Sequence, residues 1–374
     1  MLETKAPYIH SGQGDIPPDQ RSEPQGWAIF GMRALLRPYN DLVALNWSWN
    51  FKDYLTGGHP DRLGQWYSGL HDMMPYREYH ERTFCIRYIQ KGTGEPLKNM
   101  VLTRVVGEPG AILDVAKQSW HEVSSGFPYD YILEPIGSEQ ELLEETGQAW
   151  VEKETRNVSI SILQPAIGIL NSFSGSASNP IPVLGKWSAT TTSSENTWRA
   201  LHNYPHPVLM DILLRPTVLR NDELVALDSI LIQLERLVEN EDHPVVKIQA
   251  QQYLAALSRR VQNLIPSFVM QVRLASPQII YPYLLRIVGT ALTYQSIASQ
   301  NEPFQGYQAK IADQSQTADW AHKIASLDFI DSDVPVHPSL KRFPMIVSAV
   351  DLPFIARFFL TPKGGISNLH LEEP

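Results

Sequence analysis

The fold is decided by residues 82–107, RTFCIRYIQKGTGEPLKNMVLTRVVG. Two apolar runs, at 82–89 and 99–107, are rich in aromatic and β-branched residues, which is typical of strands. The linking stretch QKGTGEPLK contains two glycines and a proline, and these residues favour turns. The sequence therefore predicts two neighbouring strands joined by a turn.

The pattern changes to helical spacing after this pair. Residues 108–126 place Ile112, Ala116 and Trp120 on one face, which predicts a helix. YDYILEPI, at 129–136, then predicts another strand. The order strand, strand, helix, strand indicates an α/β layer in which a helix covers one face of a sheet.

A loosely similar order of elements follows in the second half of the chain. The predicted elements are a strand at 206–219, a helix capped by Asn221 or Asp222 and running to about Val238, a helix at 243–264, a strand at 265–276, a helix with Ser276 as cap and Pro277 in its first turn, a strand at 345–350 and a short helix from Asp351.

These patterns predict an α+β protein with mixed α/β layers, made of two α/β sub-domains that are each a small mixed sheet covered by helices. The predicted regions are an extended N-terminal arm at 1–26, an aromatic-rich α/β sub-domain at 27–170, a Ser/Thr/Asn-rich connecting loop at 171–205, a second α/β sub-domain at 206–350, and a short helix with a Pro/Gly hinge tail at 351–374. Within the first sub-domain, further predictions are strands at 46–51 and 157–170 and a solvated acidic helix at 138–155.

Composition narrows the class of protein. With 43% hydrophobic and 19% charged residues, the chain has enough apolar material for a sizeable core. A formal charge of −9 argues against a dominant nucleic-acid surface, because phosphate binding depends on Lys and Arg. Residues 1–15 lack the apolar core of a signal peptide, and no stretch approaches the roughly 18 apolar residues of a membrane span. We therefore expect a cytoplasmic protein with no membrane span and no direct nucleic-acid partner.

The motif search predicts no catalytic, cofactor-binding or metal site. The phosphate loop G-x-x-x-x-G-K-[ST] fails at residues 185–187, where Trp takes the place of the Mg²⁺-binding hydroxyl. His202, His206 and Asp211 offer metal-ligand chemistry, but a proline-bounded loop does not hold two histidines on one helical face. Cys85 lies inside an apolar run, which predicts a buried structural thiol.

The end of the chain carries a resemblance to a known family. An apolar stretch runs into a Pro-Lys-Gly-Gly turn, and the residues that fit the family's pattern are Ser348, Asp351, Ala356, Phe358, Leu360 and Pro362, followed by Gly364, Gly365 and Ile366. Pro353 and Thr361 depart from that pattern. The segment resembles the region before the motor in HerA/FtsK-type ATPases, a family of DNA pumps and secretion-type ATPases. The resemblance implies an accessory region, and we expect the family's Walker A strand to come after these residues, so no ATP-binding residue is assigned here.

The favoured hypothesis is therefore a non-catalytic accessory or assembly domain for such an ATPase, without a P-loop. We expect a protein partner, either an ATPase subunit or a neighbour in an assembly, to contact the apolar residues Phe354, Phe358, Phe359 and Leu360. The oligomeric state stays open.

Two alternatives stay open beside it. The chain is a structural subunit of a larger assembly if its aromatic N-terminal segment forms an interface. It is a hydrolase if the stretch from His71 to Arg82, which includes His80, forms a site, although mixed charges there are typical of an exposed, self-paired face.

Overall fold

The computed structural model describes residues 6–14, 25–37, 59–72, 81–146, 158–172, 180–293, 306–331 and 334–358. The strands are β1 (His10–Gly14), β2 (Gln25–Leu36), β3 (Glu81–Gln90), β4 (Lys98–Gly107), β5 (Tyr131–Pro135), β6 (Ser159–Pro165), β7 (Ile167–Leu170), β8 (Ile181–Leu184), β9 (Val208–Thr217), β10 (Ser267–Ser276), β11 (Tyr307–Ile311) and β12 (Ile346–Ser348). The α-helices are α1 (His59–Asp72), α2 (Ile112–Ser125), α3 (Glu139–Glu145), α4 (Thr191–His202), α5 (Asn221–Asn240), α6 (Pro244–Gln262), α7 (Pro282–Thr293), α8 (Thr317–Ala325) and α9 (Leu352–Ile355).

One large antiparallel sheet organises the chain. Its strand order is β1-β2-β4-β3-β9-β10-β6-β11, with β5 also paired to β2 and β12 to β10. The central strands β3, β9 and β10 are buried over almost their whole length. Strands buried on both faces read as continuous apolar runs, which explains why the sequence identified them so clearly.

The predicted α+β class is confirmed, but the two predicted small mixed sheets are a single antiparallel sheet. β3 from the first predicted sub-domain pairs with β9 from the second, and Cys85 lies opposite Leu213. A hydrophobic pattern shows that a segment is a strand, but it does not show which strand lies beside it. The sheet therefore crosses the predicted boundary between sub-domains.

The predicted connecting loop at 171–205 contains β8 and α4. Helix α4 begins with a capping box in which Thr190 and Ser193 each accept a hydrogen bond from the other's backbone. Its Trp198 and Leu201 enter the core. Ser and Thr are typical of loops and of helix N-termini alike, so composition alone did not separate the two.

Several predicted boundaries also move. Helix α5 begins at Asn221 with Arg220 as its N-cap, and Glu223 accepts the Arg220 backbone N–H at 2.7 Å. Ser276 does not cap α7: it ends β10, and its hydroxyl donates to the Pro207 carbonyl at 2.7 Å. Helix α7 starts at Pro282.

The N-terminal predictions are partly covered by the described residues. The predicted arm at 1–26 supplies β1, which pairs with β2. The predicted strand at 46–51 lies outside the described residues. The predicted acidic helix at 138–155 lies within the described residues only as far as residue 146. This part forms α3, and Leu142 in it is buried, although the helix was predicted to be solvated.

The core lies in layers on both sides of the sheet. Alternate residues of β3 point to opposite faces: Phe84, Ile86 and Tyr88 face α1, α2, α4, α7 and α9, whereas Cys85 and Ile89 face α3 and α8. A third apolar cluster joins α5 and α6 to the β7–β8 hairpin. Across the part of the chain that the structure describes, no helix combines the length and the apolar character needed to cross a membrane.

Candidate functional site

The C-terminal anchor, which we define as residues 346–358, is built into the body of the fold. It begins with β12, whose Ser348 pairs with Ser267 of β10. It ends at Phe358, whose ring is fully buried. The Phe358 ring contacts those of Phe127 and Tyr131 at centroid distances of 5.1 and 5.5 Å, in edge-to-face geometry that favours aromatic pairs.

Side-chain hydrogen bonds also hold the backbone of the anchor. The Tyr67 hydroxyl donates to the Ala356 carbonyl, and the Tyr88 hydroxyl donates to the Arg357 carbonyl. Burial raises the pKa of both hydroxyls well above its ordinary value, so both stay protonated donors at neutral pH. The anchor is therefore fixed to α1 and to the central strand β3.

The structure separates the four predicted interaction residues. Phe358 lies in the chain's own core and offers no exposed surface, whereas Phe354 is half-buried. Phe359 and Leu360 lie outside the described residues. An interaction through Phe354, Phe359 and Leu360 stays a prediction, and Phe358 contributes to folding.

The stretch considered for a hydrolase is described only at its ends, since residues 73–80, which include His80, lie outside the described residues. The His71 ring Nε2 lies 3.2 Å from the Thr217 carbonyl oxygen. Arg82 donates to Glu122 at 2.7 Å. Its described residues are therefore engaged in contacts within the fold.

The other candidates from the sequence do not form a reactive or metal site. Cys85 is buried, and burial raises the pKa of its thiol far above the ordinary value, which confirms a structural role. Asp211 lies inside β9, whereas His202 ends α4 and His206 follows it. Among the residues the structure describes, no group of three His, Cys, Asp or Glu side chains could hold a metal ion.

Asp211 instead belongs to the buried charge centre, which we define as Arg87, Asp211 and Arg273. These residues lie opposite one another on the adjacent strands β3, β9 and β10. Arg87 donates to both Asp211 carboxylate oxygens, at 2.6 and 2.8 Å, and Arg273 Nε donates at 2.9 Å. All three side chains are fully buried.

The buried charge centre also binds the C-terminal end of α8. Arg273 donates to the Lys323 carbonyl at 3.1 Å, and both arginines reach the Ile324 carbonyl at 3.3 Å. Cations stabilise a helix C-terminus because its last carbonyls lack intrahelical partners. Burial raises the pKa of Asp211, but Arg87 and Arg273 outweigh burial and hold it below its ordinary value. The carboxylate stays charged and serves structure.

A cleft with a volume of about 880 Å³, which we call the α4–α7 cleft, lies between the two helices. Its polar and charged lining includes Asn196, Arg199, Asn203, Tyr283, Arg286 and Thr290. Both helices bury their opposite faces in the core. The cleft is therefore a concavity between two elements that the core holds in place.

Close packing fixes the position of α7. Gly289, in the middle of the helix, lies directly under the ring of Tyr307 on β11, and a Cβ at this position would overlap that ring. Ser188 donates its backbone N–H to the Leu292 carbonyl at 2.9 Å. A glycine inside a helix usually lowers stability, and here it allows the close approach of the neighbouring strand.

The electrostatics of the cleft differ from those of the buried charge centre. Arg199 and Arg286 are exposed. Neither guanidinium forms an ion pair or a hydrogen bond with any residue that the structure describes. Among the described residues, neither Asp nor Glu lines the cleft. The cleft thus presents two exposed guanidinium groups that no described residue pairs, and guanidinium forks match carboxylate and phosphate groups.

An aromatic cluster borders the cleft. The rings of Tyr281 and Tyr283 are stacked, with centroids 5.9 Å apart and an interplanar angle of 19°. The Tyr204 hydroxyl donates to the Ile279 carbonyl at 2.8 Å and accepts the Tyr281 backbone N–H at 3.0 Å. These bonds hold the loop before α7, so Tyr283 presents its ring from a fixed position.

Sequence reasoning missed both the buried charge centre and the cleft. The buried charge centre serves the fold. The cleft offers binding chemistry, because it presents exposed guanidinium donors beside an aromatic ring. No family model and no curated protein matches the chain. The function is therefore proposed from the resemblance at the end of the chain and from the anchor that contains part of it.

Proposed function

We propose that this chain is a non-catalytic accessory or assembly domain associated with a HerA/FtsK-type ATPase of the DNA-translocating or secretion type. The observation that supports the proposal best is the C-terminal anchor, because the described part of the segment that resembles this family, up to Phe358, packs into the core beside the central sheet. A domain that exchanges force or movement with a motor needs a firm attachment point, and the anchor provides one.

The strength of the attachment follows from three kinds of contact. β12 is hydrogen-bonded to β10, the Phe358 ring is fully buried, and Tyr67 and Tyr88 bind the backbone around it. Full burial of one such ring stabilises the folded state by about 1.5–3 kcal/mol. A displacement of the residues that follow Phe358 would therefore be transmitted to α1 and to the sheet.

Four of the residues that carry the resemblance, Ser348, Asp351, Ala356 and Phe358, lie in the anchor, and the others lie outside the described residues. Ser348 lies in β12, and its hydroxyl accepts the Val350 backbone N–H at 3.1 Å. Asp351 precedes α9 as its N-cap, and Ala356 and Phe358 are buried. A shared pattern of this kind is explained by a shared way of attaching an accessory region.

The proposed partner is a protein: an ATPase subunit or a neighbour in an assembly. We place the contact at the exposed part of Phe354 together with Phe359 and Leu360, and no longer at Phe358. We also propose a cytoplasmic location, a role without nucleotide chemistry of its own and no direct contact with nucleic acid.

Truncation at residue 358 tests the proposal. The purified chain is mixed with a purified HerA/FtsK-type ATPase from the same organism, and the complex is captured through a tag on the ATPase. We expect the intact chain to bind, and a chain without residues 359–374 to fold but to lose binding. Deleting from residue 351 onwards would also remove Phe358 from the core, so that variant would confuse folding with binding.

A truncation at the other end provides the control. A chain without residues 2–5 should bind the ATPase as well as the intact chain does. Equal binding by the chain that lacks 359–374 contradicts the proposed contact. A defined homo-oligomer that binds no ATPase would favour the alternative of a structural subunit.

A further inference from the structure

We propose that the α4–α7 cleft binds a small organic phosphate whose organic part carries a flat ring. This inference does not depend on the proposed ATPase partner, since it concerns a different surface and a different ligand.

The two arginines supply the phosphate-binding chemistry. Arg199 projects from α4 and Arg286 from α7, and both line the same concavity. A guanidinium binds phosphate through two parallel N–H donors, and such charge-assisted hydrogen bonds are stronger than neutral ones. Two guanidinium groups on facing helices therefore suit a dianionic group held between them.

The surroundings favour an anion over a cation. The whole chain carries a formal charge of −9, yet no carboxylate of the described residues lines this cleft. By contrast, Arg342 elsewhere is bound by Glu223 at 2.6 Å. A positively charged concavity on an acidic protein attracts anions, and the described lining of this one contains no negative group that would repel them. Amide groups of Asn196 and Asn203 add neutral hydrogen-bond donors.

The size and the apolar lining indicate an organic part. A volume of about 880 Å³ is far larger than one phosphate needs and lies within the usual range of small-molecule sites. Tyr283 and Ile287 line the cleft beside the arginines, and Tyr283 is 39% exposed. An aromatic ring of the ligand can stack on Tyr283 because Tyr281 supports that ring from the other side.

Phenyl phosphate and inorganic phosphate are the two probes that test the proposal, with binding to the full chain measured by isothermal titration calorimetry at low ionic strength. We expect saturable binding of phenyl phosphate, and weaker binding of inorganic phosphate. R199Q and R286Q should each weaken phenyl phosphate binding by at least about tenfold, because each removes a guanidinium that donates charge-assisted hydrogen bonds to the phosphate. Y283A should remove the advantage of phenyl phosphate over inorganic phosphate.

Matched variants and a competing probe make the outcome decisive. Arg236 is an exposed arginine on α5, outside the cleft, so R236Q should bind phenyl phosphate like the unaltered chain. Each variant should keep the thermal unfolding midpoint of the unaltered chain. The proposal is overturned if phenyl phosphate shows no saturable binding, or if R236Q weakens it as much as R199Q. Tighter binding of a hexaglutamate peptide, lost in R286Q, would also overturn it, because the cleft would then serve an acidic protein segment.

Discussion

The buried charge centre and the α4–α7 cleft each bring two arginines together from neighbouring elements. They differ in whether a carboxylate neutralises the arginine charges. Arg87 and Arg273 share the Asp211 carboxylate and bind the end of α8, with no exposed surface. Arg199 and Arg286 face solvent in a cleft whose described lining contains no carboxylate. The difference shows that the contacts of an arginine decide its role. An arginine paired with a buried carboxylate supports the fold, whereas an exposed arginine is available to bind a ligand.

The same difference fixes how each pair should respond to mutation. A buried charge that loses its partner destabilises the folded state strongly, because no water replaces the lost contact. An exposed arginine that is replaced loses little, because water solvated it already. Mutations in the buried charge centre should therefore lower stability, whereas mutations in the cleft should weaken ligand binding with little change in stability.

The largest expected effect is at Asp211. D211A leaves Arg87 and Arg273 buried beside each other without a counter-charge, so we expect a loss of about 3–5 kcal/mol in the free energy of unfolding. Chemical denaturation at pH 7 measures it. D114A, at an exposed site on α2, is the control and should change stability by less than about 0.5 kcal/mol. A D211A protein as stable as D114A would show that the buried charge centre does not hold the sheet together.

The pH dependence of stability gives a second view of the same site. Burial raises the pKa of Asp211, but the two arginines outweigh it, and the pKa in the folded state lies below the ordinary value. The contribution of Asp211 to the free energy of unfolding is therefore fully present above its pKa in the unfolded chain, about 3.9. That contribution is lost as the pH falls through the pKa in the folded state. The stability difference between the unaltered chain and D211N should stay constant from neutral pH down to about 5 and narrow below about 4. A difference that already narrows near neutral pH would contradict the lowered pKa.

The next effect is at the anchor. F358A removes a fully buried ring and should cost about 3–5 kcal/mol, as for other core Phe→Ala changes. F354A, at a half-buried site four residues earlier, should cost clearly less. Denaturation of both variants checks this, and equal costs would mean that Phe358 does not lie in the core.

A smaller effect is expected where α7 meets β11. G289A forces the ring of Tyr307 to move, and overpacking of this kind costs about 1–3 kcal/mol. Gly69, in α1, has open space around it, so G69A should be neutral or should stabilise the protein by up to about 1 kcal/mol. Thermal unfolding of the two variants should thus shift in opposite directions, and a stabilising G289A would contradict the close approach that positions the cleft.

The smallest effect on stability belongs to the cleft. R199Q and R286Q should each change the free energy of unfolding by less than about 0.5 kcal/mol, because both side chains are exposed and no described residue forms an ion pair with them. Chemical denaturation of both variants, run beside D211A, completes the comparison. A strong destabilisation by either would mean that the arginine supports the fold.

Much of the architecture was predictable from local patterns. The apolar runs of β3, β4, β9 and β10 and the helical spacing of α2 and α6 were recognisable because burial on a fixed face leaves a period in the sequence. The pairing of β3 with β9 was not, since residues more than a hundred positions apart decide it. Helix α4 was hidden by its Ser- and Thr-rich start, although Thr190 and Ser193 in fact form its cap.

The two charged sites show why functional residues were harder to predict. Arg87, Asp211 and Arg273 each stand inside an apolar strand, and that isolation was a signal of buried partners, but the partners come from three separate strands. The cleft combines α4 and α7, which are far apart in the sequence, and no motif links them. Phe358 was predicted to contact a partner, but its ring is fully buried and has a role in the fold and not at a surface.

Sedimentation velocity of the chain mixed with a purified HerA/FtsK-type ATPase from the same organism tests the central claim most directly. The account predicts a new boundary that contains both proteins, and its loss when residues 359–374 are removed while the truncated chain keeps its own folded sedimentation coefficient. Two proteins that sediment independently at every concentration tested would contradict the proposed role as an ATPase accessory domain.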